Sequence, residues 1–224
     1  SRRLVMISIT TLLGGYRTGY FPMAVDEGVR WFSPGQRGVI PLDRFRVTRR
    51  LARMLRQRRF QCTVNRAFRE VIVACASRAD PRGNWIDSKI LESYCVFHRA
   101  GYAHSVEVWD GEQLAGGLYG VSLRGAFFGE SMFHHVRDTS KIALCALVDR
   151  LRNRGYHLLD VQWLTPYLSQ FGAIEIPRPR FLMMLDESMR HNCRFDDPSS
   201  CIREPNRLVD RELQPDSNST DAPS

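Results

Sequence analysis

Apolar residues recur at helical spacing in several stretches of the chain and alternate at strand spacing in others. Val47, Leu51, Met54 and Leu55 predict an amphipathic helix within residues 44–59, with Thr48 as its N-cap. Phe68, Val71, Ile72 and Cys75 predict a second helix over 64–76, capped by Asn65. A third, over 87–99, places Ile90, Leu91, Tyr94 and Phe97 on one face. Three strand-like runs follow, at 103–109, 113–121 and 125–128. Asp110-Gly111 between the first two is a hairpin signal, and Arg124-Gly125 separates the second from the third. Residues 140–153 carry a strong helical pattern that stops at Gly155. A strand over 157–164, a short helix over 166–171 closed by Gly172, and a helix over 179–189 complete the series. Upstream, Pro34-Gly35 reads as a turn and 38–41 as a short strand ended by proline.

This order is a helix-rich start, a meander of strands, then helix, strand and helix. It predicts an α+β or mixed α/β fold with a largely antiparallel sheet. Residues 195–224, rich in Asp, Pro, Ser and Asn, are expected to form a flexible tail. With 224 residues and 43% hydrophobic content, the chain can close a core without metal or disulfides. Its six cysteines are scattered, with no C-x-x-C pair, and are expected to be reduced structural thiols. No run approaches 18 apolar residues, and the first residues lack a signal-peptide h-region, so a cytoplasmic protein with no membrane partner is expected.

Charge adds a partner to the picture. Lys and Arg total 32 against 24 acidic residues, a net +8, and only Lys89 and Lys141 are lysines. Residues 44–59 hold eight arginines and no acid. The outer face of that helix would carry Arg49, Arg50, Arg53 and Arg56, which is either a solvated face or a stripe for phosphates.

The strand over 157–164 places Asp160 and Gln162 on one face. Polar side chains in an otherwise apolar strand are costly to bury without partners. They either satisfy nearby loop backbone or hold a cationic or amine substrate. In Phe127-Phe-Gly-Glu130-Ser-Met132-Phe, the glycine suggests close approach of a ligand or backbone. Phe127 and Met132 suit either plain core or an apolar pocket. Gly116-Gly-Leu-Tyr-Gly120 is not a phosphate loop and no P-loop lysine pattern occurs. The histidines lack zinc spacing, no G-x-S-x-G is present, and no pyrophosphate loop for coenzyme A precedes Ser140. Neither a metal nor a cofactor is expected.

Taken in order, Gly19-Tyr-Phe-Pro-Met23, Trp31-Phe-Ser-Pro34, Trp85-Ile86, Ala103-His-Ser-Val-Glu107, Gly116-Gly-Leu-Tyr-Gly120, Phe128-Gly-Glu-Ser-Met-Phe133, Ser140-Lys141, Asp160-Val-Gln162 and Phe171-Gly-Ala173 resemble the bacterial leucyl/phenylalanyl-tRNA–protein transferase family. The resemblance covers about 165 residues. It implies an acetyltransferase-like (GNAT) catalytic domain over 63–194 behind a small N-terminal domain over 1–62. It also implies transfer of Leu, Phe or Met from aminoacyl-tRNA to proteins that start with Arg or Lys, marking them for degradation. By the same resemblance Asp160 would hold the acceptor's positive charge, Gln162 would orient the amine or relay its proton, and Glu130 would hydrogen-bond the amine or the aminoacyl group. Leu118, Phe127, Met132, Leu144 and Leu147 would form the side-chain pocket. Trp85 and Tyr94 are the candidates for the terminal adenosine, and the arginine face for the acceptor stem. Met23 and Thr165 depart from the family's usual Trp and Asn. A monomer is expected. A coenzyme A-dependent acetyltransferase and a non-catalytic RNA-binding module are the alternatives.

Overall fold

The computed structural model describes residues 6–26, 28–78 and 85–196. The N-terminal part is helix α1 (Ile9–Arg17) followed by the antiparallel hairpin β1 (Phe21–Val25) and β2 (Gly28–Phe32). Ser8 caps α1 by accepting from the Thr11 N–H. Leu12 and Tyr16, one turn apart, are the residues α1 buries.

The main sheet has seven strands: β3 (Gln36–Val39), β4 (Gln61–Val64), β5 (Ala103–Asp110), β6 (Gln113–Leu123), β7 (Ala126–His134), β8 (Leu158–Gln162) and β9 (Ile174–Pro177). Their spatial order is β4-β5-β6-β7-β8-β3-β9. All neighbours are antiparallel except β7 and β8. The parallel pair is joined through α5 (Thr139–Asn153), because parallel neighbours need a long crossover. The mixed α/β expectation therefore holds, with the sheet largely antiparallel. The expected boundary at residue 62 differs from the structure: β3 lies inside the sheet, between β8 and β9, so the sheet's own sequence begins near residue 36.

Two apolar clusters cover the sheet's two faces. On one face α5 packs with α2 (Arg49–Arg56) over Leu118, Phe127 and Leu159. On the other, α1, α3 (Phe68–Ala76), α4 (Ser88–Arg99) and α7 (Arg178–Met189) pack over Tyr119, Phe128 and Leu158. Alternation along β6, β7 and β8 sends successive side chains to these opposite cores. A short helix, α6 (Pro166–Ser169), links β8 to β9.

The predicted Thr48 cap is present, accepting from Leu51 N–H at the start of α2, and Asp87 caps α4 by accepting from Ile90 N–H. Asn65 is not a cap: it has φ +60° and its side chain accepts from Ser105 N–H, so α3 starts at Phe68. The strand predicted over 125–128 runs on to His134. Phe195, placed by the sequence in a tail, is buried against Phe127 and His104, and its carbonyl accepts from Arg150. Residues 197–224 of that predicted tail lie outside the described residues.

Candidate active site

The β7–β8 ladder pairs Ala126, Phe127 and Phe128 with Leu158, Leu159 and Asp160, then stops. Past that point β7 continues beside β6, while Gln162 pairs with Gly38 of β3. The end of this ladder is where Glu130, Asp160 and Gln162 meet.

Glu130 sits at a bulge. Tyr119 opposes Ser131 and Gly120 opposes Gly129, so Glu130 is the extra residue on β7. Glu130 faces α1, on the same side as Phe128 two residues earlier, and the bulge breaks the alternation beyond it, so that Met132 packs on the α5 side. Glu130 Oε1 accepts from Tyr16 Oη at 2.7 Å and from Gln162 Nε2 at 3.3 Å. Tyr16 Oη also hydrogen-bonds Tyr94 Oη. Burial pushes the Glu130 carboxyl from 4.5 up to about 8, with the Tyr16 hydrogen bond opposing the rise and Asp160 adding to it. The hydroxyls of Tyr16 and Tyr94 are pushed up as well, first by burial and then by the Glu130 charge. Tyr119, beside the Tyr94 ring, has a buried hydroxyl with no hydrogen-bond partner among the described residues.

Asp160 is fully buried and forms a two-pronged ion pair. Arg37 Nε donates to its Oδ1 and Nη2 to its Oδ2, both at 2.7 Å. Oδ1 also accepts from the backbone N–H of Gln162 at 3.0 Å. Gln162 has φ +61°, a left-handed conformation uncommon outside glycine. Gly38 allows the close pairing there, since a Cβ on it would stand 2.7 Å from the carbonyl carbon of Trp163.

Arg37 is itself 1% exposed. Its guanidinium lies 4.8 Å from the Phe21 ring centroid and 4.4 Å from that of Phe181, and Nη1 donates to Gly19 O at 2.9 Å. Gly19 takes φ +80° in the turn between α1 and β1.

The structure thus brings Glu130, Asp160 and Gln162 together, and it alters one expectation. With both Asp160 oxygens on Arg37, that carboxylate is not presented to a cationic acceptor side chain. A second correction concerns Tyr94. It is fully buried, its hydroxyl is in the Glu130 chain, and it offers no ring face to a base. Trp85 is half-buried beside the N-terminal hairpin, where its carbonyl accepts from Ala24 N–H. Leu118, Phe127, Leu144 and Leu147 are buried under α5 with Met132 half-buried beside them, on the opposite face from Glu130. Arg49, Arg50, Arg53 and Arg56 are exposed on α2, as the periodicity required, and Arg50 pairs with Asp138 at 2.8 Å. Thr165 caps α6 by accepting from Leu168 N–H. An open depression of about 490 Å³ lies elsewhere, along Pro179 and Leu182 of α7 and Arg190 just after it. Among the described residues no three His, Cys, Asp or Glu side chains are placed to hold a metal ion.

Sequence reasoning missed Tyr16 and Arg37. Ile9, Leu12, Leu13 and Tyr16 have helical spacing that would have found α1. Arg37 is one of many arginines, and only its place beside the apolar Gly38-Val-Ile run hinted at burial.

The chain is similar to known proteins over most of its length. A family model described as leucyl/phenylalanyl-tRNA protein transferase matches residues 39–186, and the model of that family's N-terminal domain matches 6–35. The transferase of that name from Rhodopseudomonas palustris (strain HaA2) is 51% identical over 194 residues, 85% of this chain and 87% of that one. The one from Chlorobaculum parvum is 48% identical over 193 residues, 85% of this chain and all of that one. Among solved structures, L-PGS from Bacillus licheniformis aligns with a TM-score of 0.44 and 10% identity over 76% of this chain and 66% of that one, too loose a likeness to argue from. With the family model spanning most of the sheet and half of all aligned residues identical, the chain belongs to the leucyl/phenylalanyl-tRNA protein transferase family.

Proposed function

We propose that this protein transfers Leu, Phe or Met from aminoacyl-tRNA to the α-amine of proteins beginning with Arg or Lys, in the cytoplasm, and so marks them for degradation. The observation that carries the reading is the contact between Glu130 and Gln162 where the β7–β8 ladder ends, with Glu130 held near 8.

The reaction joins the amine nitrogen to the ester carbonyl carbon and breaks the bond from that carbon to the terminal ribose oxygen. An ester becomes an amide, which is downhill, so the protein's task is chiefly to hold the two reactants in line. A terminal α-amine titrates at about 7.7–8.0. A carboxylate with a similar pKa is suited to take its proton near neutrality, since catalytic groups work best when tuned to the operating pH. In this reading Glu130 accepts the proton as the amine attacks and returns it to the departing ribose oxygen. Gln162 gives its NH₂ to Glu130 and keeps its carbonyl oxygen for the amine. Asp160 orients Gln162 through the backbone N–H rather than touching the acceptor.

The Leu118, Phe127, Met132, Leu144 and Leu147 set serves the aminoacyl side chain. One methylene is worth only about 1–3 kcal/mol of discrimination in such a pocket, which suits overlap among Leu, Met and Phe. The α2 arginines serve the acceptor stem and Trp85 the terminal adenosine. We assign the sheet to the acetyltransferase-like (GNAT) type; the bulge on β7 and the parallel pair that parts beyond Phe128 support that assignment.

The test is incubation with charged Leu-tRNA and peptides starting with Arg, Lys, Asp or Glu. Leucine is expected at the N-terminus of the Arg and Lys peptides. Failure to leucylate any of them would refute the proposal.

A further inference from the structure

We propose that Arg37 is a positioning residue for transfer: by clamping Asp160 it holds Gln162, and by gripping Gly19 it sets the helix that carries Tyr16, so that one guanidinium fixes both partners of Glu130. The inference rests on the function proposed above.

The geometry leads there in steps. A buried guanidinium must be paired and hydrogen-bonded. Arg37 meets this with a planar fork to Asp160 and a third bond to a carbonyl. Lys cannot reproduce a fork, having one point charge on a flexible stem. The Asp160 oxygen held by Nε is the same one that accepts the Gln162 N–H. That bond anchors a non-glycine residue at φ +61°, a conformation that persists only where its surroundings impose it. If Asp160 shifts, the left-handed turn relaxes and Gln162 Nε2 leaves Glu130.

The second arm acts through the chain. Gly19 follows α1 by two residues, and its carbonyl is fixed by Arg37 Nη1. A side chain at Gly19 would stand 2.7 Å from Leu182 and 3.3 Å from Phe181, so the turn is packed tightly on α7. Phe181 and Phe21 sandwich the guanidinium. Arg37 thus joins the N-terminal part, β3, β8 and α7 at a single point. Tyr16, three residues before Gly19, donates to the same Glu130 oxygen as Gln162. The two donors that orient Glu130 come from separate parts of the fold, and Arg37 is bonded to both supports.

The test compares the parent with Arg37→Lys in single-turnover transfer from Leu-tRNA to an Arg-starting peptide. Thermal melting and aminoacyl-tRNA affinity are measured in parallel. Arg37→Lys is expected to fold and to bind aminoacyl-tRNA within about two-fold of the parent. Its kcat should drop about a hundred-fold with little change in peptide KM, as a misplacement of about 1 Å costs at that scale. Folded Arg37→Lys that transfers at the parent rate would overturn the proposal. So would a loss of rate that only follows the fraction unfolded. Should Arg37→Lys not fold, the neutral pair Arg37→Met with Asp160→Asn replaces it, since uncharged substitutes for a buried pair are often tolerated. That pair is expected to fold and lose transfer, and parent-level transfer by it would overturn the proposal. No transfer by the parent itself would remove the proposed function and this inference with it, whereas transfer by the parent and equally by the variants removes only the inference.

Discussion

Replacing Tyr16 by Phe probes whether ionised Glu130 is what transfer requires. The substitution deletes one hydroxyl and keeps the ring, which packs on Phe97 and Phe128. It removes the 2.7 Å bond to Glu130 Oε1. Hydrogen bonds to charged groups contribute about 1.5–3 kcal/mol, and they favour the ionised carboxylate over the acid. At about 1.4 kcal/mol per pKa unit, Glu130 should move up by roughly one to two units from about 8. At pH 7 the ionised fraction then falls roughly ten- to hundred-fold. The assay is single-turnover leucyl transfer to an Arg-starting peptide from pH 6 to about 10. The acidic limb should shift to higher pH, with the rate recovering above it. Because the acceptor amine titrates in the same range, Glu130→Gln supplies the control curve, whose limb belongs to the amine alone. A uniform loss at every pH, with the limb unmoved, would refute the reasoning. The same carboxyl also makes stability pH-dependent. Between 4.5 and about 8 the folded protein keeps a proton that the unfolded chain has released, so stability falls as pH rises through that window. In Glu130→Gln this contribution to the slope should vanish, which urea midpoints across the window would show.

Three other outcomes are expected. Gly38→Ala puts a Cβ against the backbone of Trp163 and Leu164, so it should displace Gln162 and lower transfer at least ten-fold; parent-level kcat would refute the close approach. Charge reversal at Arg49, Arg53 and Arg56, with Arg50 left on Asp138, should weaken aminoacyl-tRNA binding and reduce its salt slope by roughly one for each phosphate no longer neutralised; an unchanged slope would mean a merely solvated face. Tyr119→Phe removes a buried hydroxyl with no partner among the described residues, so melting should show the variant as stable as the parent or up to about 1–3 kcal/mol more so; a loss above about 1 kcal/mol would mean that this hydroxyl is satisfied after all.

Local spacing in the sequence determined much of the secondary structure. The helix of residues 49–56, its Thr48 cap, the Asp110-Gly111 hairpin and the long helix that Gly155 closes all rest on interactions within a few residues, which a linear pattern records. The family motifs likewise named Glu130, Asp160 and Gln162 before any geometry was known. Pairings between distant residues are not recorded there. Arg37 and Asp160 are separated by 123 positions and Tyr16 and Glu130 by 114, and no periodicity links them. The bulge at Glu130, which breaks alternation between Phe128 and Met132, arises from its register with β6. Tyr94 is a stacking candidate by residue type alone, whereas its spacing marks the buried side of its helix; what it touches there depends on α1 packing against α4. Tertiary structure decided that the Asp160 carboxylate was already paired, because only the assembled sheet brings β3 alongside β8.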